Sequence, residues 1–257
     1  MNIFKLIILS GILITHSFAV ISKGIGETEI TTDDGIEVFQ NEKYYLLKKN
    51  VKIVSDDFKI TSDMVKAKFE IDLYDITSLE TKGNSSLNAI KYGVTGKGSE
   101  IDINIKLEEI TVRGNNSILN LQETKMSSDG LIKVNNLSGT FELNGPNSKL
   151  QNDNLDIQGE YISGVFSELD GKKQINKLNI EDENLLTINT ENLEMHSEKA
   201  TYDDQTAIIE LFSKVKIIKG QEIITGDYGY FDTFKNSYKV KSNNTSKVKV
   251  TIKKTNE

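Results

Sequence analysis

Along most of this chain apolar and polar residues alternate one by one. Ile101-Asp102-Ile103-Asn104-Ile105-Lys106-Leu107 alternates without error, as a strand with one buried face must. Val248, Val250 and Ile252 alternate with Lys247, Lys249, Thr251 and Lys253. Ile209, Leu211, Val215 and Ile217 share one parity and Glu210, Lys214 and Lys216 the other, with Phe212 and Ser213 breaking the pattern. The same reading predicts strands at 36–39, 44–54, 58–60, 131–134, 140–143, 155–157, 161–166, 175–180, 185–188 and 238–241. Turn formers punctuate them: DDG at 33–35, KGN at 82–84, RGNN at 113–116, SSDG at 127–130, NGPNS at 144–148 and LDGKK at 169–173. Short strands at this spacing predict an all-β sandwich, barrel or roll. Pro146 is expected in a turn, where it interrupts no ladder. No helical stripe follows the first residues.

One phrase is written twice. Val51-Lys52-Ile53 precedes Ile60-Thr61-Ser62-Asp63, and Val215-Lys216-Ile217 precedes Ile224-Thr225-Gly226-Asp227 at the same offsets. Each acid opens a segment with aromatic residues, as far as Phe69 and Asp232. Ser197-Glu198-Lys199-Ala200-Thr201-Tyr202-Asp203 matches the later segment, and 158–166 is a degenerate fourth copy. Repeated strand units point to a stacked architecture whose neighbours bury one another's apolar faces. Residues 84–160, poorer in aromatics and richer in Asn and Gly, are either an insertion or degenerate repeats; no linker composition separates two domains.

The amino terminus changes the address. Lys5, the apolar run Leu6–Ile14 and the small residues before Ala19 have the layout of a signal peptide cleaved after Ala19. The rival is a retained anchor, which needs about 20 apolar residues. No cysteine is present, which excludes a lipid-anchored lipoprotein and any disulfide. The net charge of −7, evenly mixed, argues against nucleic acid. The expected location of the mature chain, from Val20 onward, is the periplasm.

Catalytic chemistry is hard to assemble. His196 is the one histidine after the signal segment, so multi-histidine zinc sites and Cys–His catalysis are excluded. Asp56-Asp57, Asp203-Asp204 and Glu181-Asp182-Glu183 are carboxylate groups beside turn residues, without the ordering of a calcium loop. GKGSE at 96–100 lacks phosphate-loop spacing. No enzyme activity, metal or cofactor is expected. The apolar set Val51, Ile53, Ile60, Ile209, Leu211, Val215, Ile217 and Ile224 furnishes either a dry core or a lined groove.

The repeated phrases resemble those of the OstA-like lipopolysaccharide-transport proteins, the LptA group. Asn50-Val51-Lys52-Ile53 with Ile60-Thr61-Ser62-Asp63, and Val215-Lys216-Ile217 with Thr225 to Asp232, resemble that family's repeat. The match is good over 35–70 and 195–241. It departs at Lys49, where glycine is usual, and at Ser213-Lys214, which replace Gly-Asn. The resemblance implies an elongated antiparallel β-jelly roll, a V-shaped folded sheet spanning 20–257. It implies a periplasmic bridge component that shelters lipopolysaccharide acyl chains in an apolar groove lined by the eight residues above. The implied partners are lipopolysaccharide, inner- and outer-membrane export proteins joined through edge strands, and further copies head to tail. Residues 36–47 and 236–253 are the edges expected to pair, and the lysines of the latter serve either to block pairing or to meet lipid phosphates. Two alternatives stay open: a membrane-anchored LptC-like partner of the same export system, and a secreted structural or adhesive β-solenoid without lipid cargo.

Overall fold

The computed structural model describes residues 28–71, 75–152, 155–169, 171–243 and 247–252. The expected signal segment, 1–19, lies outside them. The described residues fold almost wholly as antiparallel β-strands, with one 3-10 turn at Ile90–Tyr92. The fold class is all-β.

The chain divides into two compact units: residues up to Gln122 with Leu131–Ser138, and Glu123–Gly130 with Gly139 onward. Residues 84–160 contribute strands to both.

In the first unit the strands are β1 (Glu29–Thr31), β2 (Ile36–Phe39), β3 (Tyr44–Val54), β4 (Lys59–Phe69), β5 (Ile76–Lys82), β6 (Ser85–Ala89), β7 (Val94–Gly98), β8 (Glu100–Asn104), β9 (Glu109–Arg113), β10 (Ser117–Leu121) and β12 (Leu131–Asn135). Strand β3 pairs with β2 through Tyr44–Leu47 and with β1 through Lys52–Val54. Likewise β4 pairs with β6 through Lys59–Thr61 and with β5 through Met64–Phe69. Each long strand therefore serves two half-sheets. One arm runs β1-β3-β4-β6-β7-β10, the other β2-β3-β4-β5-β8-β9-β12. The arms meet inside: a Cβ on Gly96 of β7 would lie 3.6 Å from Ile101 Cδ1 of β8.

The second unit repeats the plan with longer strands: β11 (Thr124–Ser128), β13 (Thr140–Gln151), β14 (Asp156–Leu169), β15 (Lys172–Asn189), β16 (Glu194–Asp203), β17 (Ile208–Lys219), β18 (Glu222–Asp232), β19 (Ser237–Lys241) and β20 (Lys249–Ile252). Every interior strand from β13 to β18 changes register midway. Past the shift β18 pairs with β19, and before it with β20.

The turn between the arms is made by β-bulges. Lys49 and Asn50 carry φ of 61° and 51°, and Ser213 and Lys214 carry 64° and 50°. Two consecutive left-handed residues rotate the strand and restore its parity, so that Leu47 and Val51, or Leu211 and Val215, stay buried on one side. This explains why Phe212 and Ser213 break the alternation, and why glycine or asparagine suits these places. It also corrects three sequence expectations. The runs 155–157 and 161–166 are one strand, β14; the runs 175–180 and 185–188 are one strand, β15, bent where Leu185 has φ 84°. NGPNS is a bulge within β13: Asn144 faces Tyr161 and Ser148 faces Gly159, leaving Pro146 out of the ladder.

Small hydroxyls satisfy backbone groups at the bends. Ser62 Oγ lies 2.9–3.0 Å from the carbonyls of Met64, Lys82 and Gly83, and 3.1 Å from Ser85 Oγ. Thr81 Oγ1 donates to Ser85 Oγ and accepts from the Ile101 amide. In the second unit Ser128 and Ser148 share a 3.0 Å hydroxyl contact, and Ser148 Oγ donates to the Gly145 carbonyl. Such pairing matters because a buried polar group left unpaired costs about 1–3 kcal/mol.

Candidate functional site

The two echoing phrases occupy equivalent places. Val51 stands opposite Ser62 and Ile53 opposite Ile60 in the hairpin β3–β4; Val215 stands opposite Gly226 and Ile217 opposite Ile224 in β17–β18. The acids that follow, Asp63 and Asp227, sit one residue past a small side chain at the bend, as does Glu198 after Ser197 and Glu160 after Gly159. Size is restricted there: a Cβ on Gly226 would lie 2.6 Å from the Lys241 carbonyl oxygen and from Val240 Cγ1.

Seven of the eight residues singled out from the sequence are buried: Val51, Ile53, Ile60, Ile209, Leu211, Val215 and Ile217. Ile224 is half-buried. Val51, Ile53 and Ile60 lie in the first unit and the other five in the second, so the described structure brings them together as two sets. Ile217 and Ile224 lie in one transverse row of the second unit, and Ile53 and Ile60 lie in a row with Ile30 and Leu87 in the first. In the second unit Leu150, Ile157, Ile188, Met195, Ile217, Ile224 and Val250 face one another across successive strands. In the first unit Val38, Tyr45, Ala67, Leu79, Ile103 and Ile110 do the same. Sequence reasoning missed most row members because it scored strands singly; their signal was the parity of each strand.

Among the described residues each row emerges from the core at one end. Exposure along the second runs from 0% at Ile217 through half-burial at Ile224 to 56% at Val250 and 68% at its strand neighbour Ile252. At the amino-terminal end of the first unit Ile36 and Val38, opposite buried Leu47 and Tyr45, are 39% and 43% exposed. Among the described pairings β1 and β2 bond only to β3, and β19 and β20 only to β18. Of these, β2, β19 and β20 fall within the edges expected at 36–47 and 236–253, and β1 lies outside them.

The polar groups act locally. His196 lies on the outer face of β16, with Nδ1 3.1 Å from Thr187 Oγ1 and Nε2 2.7 Å from Glu194 Oε1. Asp57 pairs with Lys91 and Asp203 with Lys177. Lys199 hydrogen-bonds the Glu181 carboxylate and holds it below the usual range. Asp182 and Asp203 accept the amides of Asn184 and Gln205. Burial pushes the phenols of Tyr202 and Tyr228 up to about 12, aided by hydrogen bonds to Asp204 and Glu210. Among the described residues no group of three or more His, Asp or Glu side chains could hold a metal ion.

No family model matches the chain, and no curated protein matches it. Among solved structures it is similar to the crystal structure of LptH from Pseudomonas aeruginosa, described as the LptA-homologous periplasmic component of the conserved lipopolysaccharide transport device. That similarity has 9% sequence identity and a TM-score of 0.43, and it covers 51% of this chain and 95% of that one.

Proposed function

We propose that this protein is a non-enzymatic periplasmic bridge component that shelters the acyl chains of lipopolysaccharide between inner and outer membranes. The observation that carries the reading is the apolar row that runs buried across each unit and, among the described residues, emerges exposed at a terminal edge strand. A dry core would end such a row beneath polar residues. Here Val38, Val250 and Ile252 leave it open to a guest. The repeated phrases support the choice of guest, since they resemble the lipopolysaccharide-transport repeat.

The energetics fit this arrangement. Each sheltered methylene contributes about 0.8 kcal/mol, so a lipid chain needs a long apolar strip rather than a single pocket. Rows of similar residues on successive strands give similar affinity at successive positions, which lets a chain advance. Val51, Ile53, Ile60, Ile209, Leu211, Val215 and Ile217 are buried, so entry to their level requires the arms to part. The edge strands β2 and β20 offer main-chain groups for pairing with export partners or further copies.

Photo-crosslinking side chains at Val51, Leu211 and Val215, in cells with labelled lipopolysaccharide, test the proposal. Label at these positions is expected. Label at none of them, with the protein folded and exported, overturns it and leaves a structural β-protein without lipid cargo. Sequencing of the exported amino terminus separates a cleaved protein beginning at Val20 from a membrane-anchored partner.

A further inference from the structure

The two ends of the chain differ sharply in charge. Residues 29–42, which hold β1 and β2, contain Glu29, Asp33, Asp34, Glu37 and Glu42 and no lysine or arginine. Residues 237–252, which hold β19 and β20, contain Lys239, Lys241, Lys247 and Lys249 and no acid. At the latter end the charge sits beside the open apolar row. Val250 faces Ile224, whereas Lys249 faces Thr225, and Thr225 in turn faces Lys216. Adjacent strands lie about 4.8 Å apart, so Lys216 and Lys249 stand roughly 10 Å apart on the outer face. Lys219 ends β17 at the same edge, its partner in register being Glu222. None of the ion pairs among the described residues uses Lys216, Lys219, Lys247 or Lys249.

An edge strand that alternates exposed apolar and lysine residues presents both halves of an amphiphile's complement. Lysine stems are long and flexible enough for the ammonium groups to reach around the strand edge. Resting on the lipid-sheltering reading above, we infer that the β20 end of the second unit seats a lipid phosphate: acyl chain along Ile224, Val250 and Ile252, anionic headgroup on Lys247, Lys249 and Lys216. At the β1–β2 end, by contrast, Glu37 and Asp34 are paired with Lys48 and Lys49. A phosphorylated lipid is therefore held at the β20 end of the chain.

Calorimetric titration of the intact mature protein at low salt tests this, with dodecyl phosphate, dodecylphosphocholine and inorganic phosphate as probes. Dodecyl phosphate is expected to bind about tenfold more tightly than dodecylphosphocholine, a preference lost as salt rises. The variant K247E/K249E is expected to lose that preference. K97E/K125E, with the same charge change elsewhere, is expected to keep it. Circular dichroism checks that each variant is folded. Equal affinity for the two amphiphiles, or a preference that survives K247E/K249E, overturns the headgroup seat and leaves the shelter reading standing. Inorganic phosphate binding as tightly as dodecyl phosphate also overturns the seat, showing an anion patch without a lipid. Binding of neither amphiphile overturns both.

Discussion

The side-chain amide of Asn50 donates to the carboxylate of Asp33 at 2.6 Å, tying the bulge of β3 to the loop between β1 and β2. The relationship recurs at other bends. Asn84 donates to Asp63 at 2.9 Å and Asn147 to Asp129 at 2.7 Å, while Lys214 pairs with Glu198 at 2.5 Å. At each bend a left-handed residue, with φ between 48° and 56°, reaches an acid on the adjoining strand or loop. Asp63 of the repeated phrase is thus a corner brace, and its counterpart Asp227 accepts the backbone amide of Asn243. These groups are exposed, so each brace contributes modestly; their common effect is to fix where strands change arms.

The bulge geometry sets the tolerance of Asn50 and Lys49. Asn50→Val forces a β-branched residue to φ near 51° and removes the brace; a loss of about 1–3 kcal/mol is expected in denaturant titrations. Lys49→Gly places glycine at φ 61°, where it is strain-free but loses more chain entropy on folding. That variant is expected to lie within about 1 kcal/mol of wild type. Comparable losses for the two would argue against the backbone explanation.

Gly226 is limited by space rather than by φ. Gly226→Val drives a branched side chain into the Lys241 carbonyl and Val240. A loss of about 1–3 kcal/mol is expected, with amide exchange accelerating first in β19. Unchanged exchange there would sink this account.

Core and rim separate by mutation. Leu211 is fully buried, so Leu211→Ala is expected to cost about 2–5 kcal/mol. Val250 is 56% exposed, and Val250→Ala is expected to change stability by no more than about 0.5 kcal/mol while reducing acyl-chain binding. A large stability loss at Val250 would mean that the rim is core.

Alkaline pH reports on two tyrosines. The phenols of Tyr202 and Tyr228 are raised from 10.0 to about 12, burial being the main cause. Because the folded values exceed the unfolded ones, their stabilising effect is complete below pH 10 and is lost as pH rises through about 12. The double variant Y202F/Y228F should therefore show a shallower fall in melting temperature between these limits than wild type. Parallel falls would remove the tyrosines as the cause.

The sequence by itself determined the strand class, the inward parity and the equivalence of β3–β4 with β17–β18. Those properties depend on residues two apart and on phrases of fixed spacing, which need no knowledge of distant neighbours. Val51, Ile53, Ile60, Leu211 and Val215 were legible as inward residues for that reason. The run 44–54 was also legible as one strand, but tertiary structure alone decided that Lys49-Asn50 and Ser213-Lys214 turn their strands between arms, since a left-handed pair shows its effect only through its partners. It also decided which buried residues join into rows, and that the row is buried at Ile217 but ends exposed at Val250. Pairing register and the exposure of β20 are properties of neighbours in space, which alternation along one strand does not encode.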